Sequence, residues 1–232
     1  MNESSQIEIT DQSIQNLLMD KQKFHYPFGE KVKDHFKGKY SIPLFTYGSL
    51  LNKESALRSM KAEVYEARVP SVTFGFKRIF NRDVDVTDSP RYVTPQDKNE
   101  RGMLNLFSTN NNADIVNGFV FDLNLAGIGA MCAREVGYDL VPCVVMPWDN
   151  YKTGDVKDAQ LQVVYTFLAP SEERVGIYPV RDDITPIKEY FDLVKHGAAQ
   201  YGQDFLDHWY ATTVLADGQT TATQWEKQLT KT

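Results

Sequence analysis

The sequence is poor in cysteine, with only Cys132 and Cys143 in 232 residues. That argues against a disulfide framework and for two thiols in a reducing compartment. Histidine is also sparse. His25, His35, His196 and His208 are widely scattered, and no Cys/His spacing suits zinc. Positive charge is not in excess: 25 Lys+Arg stand against 31 Asp+Glu, a net charge of −6. Such a balance leaves no obvious electrostatic footprint for nucleic acid or an anionic membrane. No apolar run approaches the ~18 residues of a membrane span. Residues 1–5 are polar, without the basic and apolar regions of a signal peptide. The expectation is a soluble, cytoplasmic protein with no nucleic-acid and no membrane partner.

Apolar residues are plentiful. A hydrophobic share of 42% and an aromatic share of 12% suffice for a sizeable core, in one large domain or two small ones. No Gly/Ser/Pro linker separates two apolar blocks, so one compact domain is expected. Residues 1–40 read as an N-terminal extension. A short amphipathic helix after Asp11 and the aromatic anchors Phe24, Tyr26, Phe28 and Phe36 would wrap it around the rest. Residues 41–215 read as the main domain and 216–232 as a polar tail, with Trp225 and Leu229 as an amphipathic hint.

Within the main domain a strand is predicted over about 42–48, and a helix capped by Asn52 reaches about 60. The Val-, Tyr- and Phe-rich text over 62–81 predicts one bent strand, or two joined at Pro70 or Gly75. A charged loop follows over 82–100. Strands are predicted at 103–107, 118–123, 138–146 and 161–168, a helix at 126–135, and a hairpin loop with Gly154 over 149–158. After Pro186 the apolar period changes to a helical one at Ile187, Tyr190, Phe191 and Val194, and again at Phe205, Leu206, Trp209 and Tyr210. Strands in the middle and helices at the end point to the α+β class.

Two segments carry the chemistry. Tyr47-Gly48-Ser49-Leu50 ends the first strand and opens a helix. A glycine at such a corner permits backbone conformations closed to other residues. Backbone N–H groups there suit a carboxylate or an oxyanion. By themselves the four residues also fit an ordinary strand-to-helix turn. Far downstream, Arg134-Glu135-Val136-Gly137-Tyr138 puts one carboxylate between a helix and an apolar strand. Partial burial there would raise its pKa and suit it to proton transfer near neutral pH. By itself Glu135 also fits a surface glutamate or a partner for Arg134.

Together the two segments resemble the gamma-glutamylcyclotransferase superfamily, with its ChaC-like and AIG-like branches. The features run in the same order: Tyr47 to Leu50, then Gly75-Phe76-Lys77-Arg78, Gly118-Phe119-Val120-Phe121, and Arg134 to Tyr138. The match covers roughly 42–146, more weakly the helical region 193–213, and leaves 1–40 uncovered. Members often carry Leu-Asp shortly before the Arg-Glu pair, where this chain has Met131-Cys132.

The resemblance implies a small mixed β-barrel flanked by helices. It implies cyclisation of a γ-glutamyl small molecule to 5-oxoproline, with no metal and no cofactor. Glu135 would be the proton shuttle. Backbone around Gly48, Ser49 and Leu50 would hold the substrate carboxylate and the oxyanion. Tyr47 and Tyr138 would shape the pocket or bind substrate. The resemblance leaves a homodimer open, and it leaves a second reading open: a non-catalytic binder of such a metabolite on the same fold.

Other motifs carry less. Gly127-Ile128-Gly129-Ala130 lacks the sixth small residue of a dinucleotide fingerprint, since Cys132 stands there. The G-x-S-x-G elbow of serine hydrolases is absent. His208 reads as a packed helix residue, and Cys132 as a structural thiol.

Overall fold

A computed structural model of the chain describes residues 11–84, 98–109, 111–154, 161–170 and 179–229. Five strands close a mixed β-barrel in the order β1 (Ile42–Thr46), β5 (Ile115–Leu123), β2 (Val69–Phe74), β6 (Asp139–Pro147) and β7 (Gln162–Leu168). All neighbours run antiparallel except β1 and β7, which pair parallel through Leu44 with Tyr165 and Phe45 with Thr166. In β6, from Asp139 to Met146, every residue is buried, as a strand covered on both faces requires. A second, four-stranded sheet has the order β8 (Thr185–Pro186), β4 (Glu100–Ser108), β3 (Phe76–Asp83) and β9 (Thr213–Leu215). The chain therefore has the expected α+β architecture, a small mixed barrel flanked by helices.

Helices α1 (Asp11–Leu18), α2 (Lys31–Phe36), α3 (Lys53–Ala56), α4 (Ala62–Glu66) and α5 (Leu125–Arg134) surround the barrel, with α6 (Trp148–Thr153) and α7 (Lys188–Ala199). Helices α8 (Gln203–Ala211) and α9 (Ala222–Leu229) follow among the described residues. The extension is sewn to β6. Phe24 and Leu140 exchange two backbone hydrogen bonds of 2.9 Å. Tyr26 N–H and His25 Nδ1 lie 2.9 and 2.8 Å from the Asp139 carboxylate. At the other end Trp225 of α9 packs edge-on to Phe191 of α7, ring centroids 4.7 Å apart, and both are buried in the common core.

Several local expectations are corrected. Residues 62–66 form a helix, because Ala62, Glu63 and Glu66 are good helix formers and Tyr65 alone turns fully inward, donating to the Leu51 carbonyl at 2.9 Å. The expected hairpin loop over 149–158 starts as α6, which Gly154 ends in the left-handed conformation at φ 70°. Residues 155–158 lie outside the described residues, as does most of the expected loop over 82–100. Strands β4 and β5 run longer than the apolar runs that signalled them. The edge strands β8 and β9 are too short to leave a period.

Helix α7 is pressed onto the turn Ser49–Leu51. A Cβ at Gly197 would lie 2.5 Å from Asn52 N and from the Leu51 carbonyl carbon. Alanine favours a helix over glycine by up to ~1 kcal/mol, but overpacking against backbone costs about 1–3 kcal/mol. Gly197→Ala is therefore expected to lower the melting temperature by several degrees, measured by circular dichroism. A higher melting temperature would show that this contact is loose.

Candidate active site

The site is built where β1 ends and α5 ends. After Tyr47 the chain makes a 3-10 turn, Ser49–Leu51, closed by Leu51 N–H to the Gly48 carbonyl at 2.9 Å and Asn52 N–H to the Ser49 carbonyl at 3.2 Å. Asn52 then caps α3, accepting from Ser55 N–H at 3.1 Å. Gly48 has φ −119°, so left-handed backbone is not its reason. The space is: a Cβ there would sit 2.9 Å from the Tyr190 hydroxyl. Leu50 is buried in the core, while Ser49 stays half-buried.

Helix α5 starts at Asn124, whose side chain accepts from Gly127 N–H at 2.8 Å. Both Gly127 and Gly129 lie inside this helix, not on the phosphate-facing loop that a dinucleotide fingerprint needs. Glu135 closes the helix with φ −90° and ψ 60°. Gly137 at φ 79° turns the chain into β6.

Arg134 joins the two segments. Its Nη2 donates to Ser49 Oγ at 3.0 Å and Ser55 Oγ at 2.9 Å. Its Nη1 donates to the Ser55 carbonyl at 2.8 Å and Ser59 Oγ at 2.9 Å. Its Nε lies 3.2 Å from Glu135 Oε1. One guanidinium thus holds the Tyr47 loop and the Glu135 carboxylate together. The Arg134 side chain is 6% exposed and that of Glu135 22%, so the carboxylate keeps an opening to solvent.

Both tyrosines are buried and tied to backbone carbonyls. Tyr47 donates to the Phe167 carbonyl at 2.9 Å, and Tyr138 to the Leu104 carbonyl at 3.0 Å. Burial lifts the Tyr47 phenol well above its usual pKa. The nearby Tyr138, Glu135 and Tyr190 add to that, against a backbone hydrogen bond at Leu106. Tyr47 is therefore a neutral donor at physiological pH.

The sequence reading missed four partners here: Arg134 as a clamp, Tyr190, Arg78 and Arg82. Tyr190 arrives from α7, far downstream, with no local motif. Arg78, fully buried on β3, donates to the Asn117 backbone carbonyl, to Asn117 Oδ1 at 3.0 Å and to Thr213 Oγ1 at 3.1 Å. Burial lowers its pKa to about 9, and the neighbouring Tyr47 and Tyr190 oppose that fall. Arg82 donates to the Gly137 carbonyl at 3.3 Å and lies 5.0 Å from the Tyr138 ring centre, bracing the Glu135 corner.

The remaining candidates behave as packed residues. Cys143 is buried and Cys132 half-buried, both free, and burial pushes each thiol up to about 12. His208 has Trp148 and Tyr151 rings 5.3 Å away. Burial, with Arg78 nearby, lowers its pKa to about 4. In the unfolded chain it would titrate near 6.5. Stability from this histidine is therefore present above pH 6.5 and lost as pH falls through about 4. For a partly accessible ring the loss is on the order of 2 kcal/mol. His208→Phe is expected to shrink the difference in urea-unfolding free energy between pH 7 and pH 4.5. Equal differences in the two proteins would mean that the ring titrates normally.

Among the described residues no group of three or more His, Cys, Asp or Glu side chains is placed to hold a metal ion. Among the same residues no helix is long and apolar enough to cross a membrane.

No protein-family model matches the chain, and no curated protein matches it in sequence. Its likeness to solved structures is clear in shape. A gamma-glutamyl cyclotransferase superposes with a TM-score of 0.50 and 16% identity, over 83% of this chain and 99% of that one. An uncharacterized protein from Homo sapiens gives 0.51 and 16%, over 84% and 100%. YkqA from Bacillus subtilis gives 0.51 and 15%, over 75% of this chain and 56% of its own. Identities this low speak for the fold and not for a substrate. With its closed mixed barrel flanked by helices, the chain has the gamma-glutamylcyclotransferase-like fold.

Proposed function

We propose that the chain is a cofactor-independent cyclotransferase that releases 5-oxoproline from a γ-glutamyl compound. The observation that carries this reading is the Arg134 guanidinium shared by Ser49 and Glu135. It ties the Glu135 carboxylate to the Ser49 turn, which supports reading the one as a proton shuttle and the N–H groups of the other as anion donors.

The reaction is a proton relay around a tethered nucleophile. Glu135 takes a proton from the substrate's α-ammonium. The freed amine attacks the γ-carbonyl carbon, closing a five-membered ring and placing negative charge on the carbonyl oxygen. The first N–H groups of a helical turn have no partner within it. Those at Ser49 and Leu50 would meet the substrate carboxylate or that oxygen. The carbon–nitrogen bond to the leaving amine then breaks as Glu135 gives its proton to that nitrogen, and the carboxylate so freed takes the second proton from the ring nitrogen and passes it to the released amine, leaving 5-oxoproline and an ammonium. Holding nucleophile and carbonyl in one folded substrate supplies much of the rate. Tyr47 and Tyr138, tied to β7 and β4, fix the walls.

The test is a mass-spectrometric screen for 5-oxoproline across γ-glutamyl amino acids, γ-glutamylamines and glutathione. Release from any of them supports the reading. Folded protein that binds members of the panel in thermal-shift assays, yet releases nothing, would make the chain a metabolite binder instead.

A further inference from the structure

A cleft of about 270 Å³ lies against the outer face of α5, lined by Tyr26, Phe28 and Val32 on one side and Gly129, Cys132 and Val136 on the other. Two facts make it more than a surface groove. The first is its position. Cys132 is one helical turn before Glu135, Val136 is the next residue, and the Glu135 charge acts on the Cys132 thiol. The second is its construction. One wall comes from the extension, which Asp139 anchors through Tyr26 N–H right beside the Glu135–Tyr138 corner. The walls are mostly apolar, and the rim cation Lys33 is engaged with Glu30 at 3.0 Å. Val136, the residue after Glu135, is 48% exposed.

We propose that this cleft receives the side chain of the departing amine, so that the chain selects γ-glutamyl compounds whose amine carries one bulky apolar or aromatic group. The inference rests on the reading of Glu135 as the shuttle in γ-glutamyl cyclisation. When the carbon–nitrogen bond breaks, the nitrogen must lie against the Glu135 carboxyl to regain its proton. Cys132 and Val136 flank Glu135 along the chain, and the cleft they line is the space assigned to the group that nitrogen carries. The volume falls just below the range of small-molecule sites, which begins near ~300 Å³. It suits a single side-chain-sized group rather than a longer peptide, and its walls offer a polar peptide few partners.

Gly129 gives a clean way to fill the cleft. A Cβ there meets nothing within 4 Å, so Gly129→Phe projects a ring into open space from a helical position. Specificity constants would be measured for γ-glutamyl-phenethylamine and γ-glutamyl-methylamine by 5-oxoproline release. Burying an apolar side chain is worth about 1.5–3 kcal/mol, so the native protein is expected to favour the phenethyl compound by roughly 10- to 100-fold. Gly129→Phe is expected to abolish that preference while changing the methylamine rate by less than about 3-fold. Ala133→Phe, at an exposed rim position, is the second variant should the first fail to fold.

Turnover of both compounds without an apolar preference would overturn the cleft assignment and leave the chemistry of Glu135 standing. So would a preference that survives filling of the cleft. Absence of 5-oxoproline from every γ-glutamyl compound would overturn the underlying reading, and this proposal with it.

Discussion

Glu135→Gln is expected to abolish 5-oxoproline release almost completely while leaving the fold intact. Glutamine keeps the size of the side chain and a carbonyl oxygen for Arg134 Nε, now 3.2 Å away. It loses the capacity to take up and return a proton. Positioned general acid–base catalysis contributes about 10²–10⁴-fold, and here one group serves both half-steps. The expected result is a fall in kcat of at least about 10³-fold, with little change in KM. Far-UV circular dichroism and melting temperature should stay close to native, because the side chain is partly solvent-exposed and closes a helix already capped at its other end. A variant that keeps more than a tenth of the native rate would remove Glu135 from the proton path. Attention would then pass to a substrate-assisted route or to solvent as the base.

How much of this was legible in the sequence depends on the range over which each feature is encoded. The barrel strands are apolar runs of ordinary length, and β1, β5, β6 and β7 could be placed from them. Tyr47 to Leu50 and Arg134 to Tyr138 are local motifs, so their residues could be named. What joins them is not local. Arg134 reaches Ser49, Ser55 and Ser59 across 75 to 85 positions, and three scattered serines form no motif. Tyr190 lies on a helix whose apolar period was readable, yet nothing in that period says that its hydroxyl meets Gly48. Gly48 illustrates the same limit. A glycine at a strand-to-helix corner suggested special backbone geometry, whereas the actual requirement is room for a side chain 142 positions away. The edge strands β8 and β9 span two and three residues, too few to show alternation, so the edges of the second sheet were hidden. The helix at 62–66 was hidden for another reason. Val64 and Tyr65 sit next to a true strand and share its β-branched and aromatic character.

Arg134→Ala should show whether the site is one unit or two neighbours. The guanidinium makes four hydrogen bonds to serine groups and an ion pair to Glu135 while almost wholly buried. Removing one partner from a buried charged network costs about 3–5 kcal/mol, because the groups left behind lose their solvation. For a chain of this size that corresponds to a melting temperature lower by roughly 10 °C. Activity should fall by more than the unfolded fraction explains. Displacing a carboxylate by about 1 Å can cost on the order of 10²-fold, and both the Ser49 turn and Glu135 lose their common anchor. The loss should appear chiefly in kcat, measured well below the new melting temperature with saturating substrate. Arg134→Lys separates charge from geometry. An ammonium group keeps the charge beside Glu135 but cannot reproduce the planar fork that bridges Ser49, Ser55 and Ser59. It is therefore expected to recover part of the stability and little of the rate. A lysine variant with native kcat would mean that charge alone matters beside Glu135, and that the turn at Ser49 holds its shape through α7 and Gly197 instead.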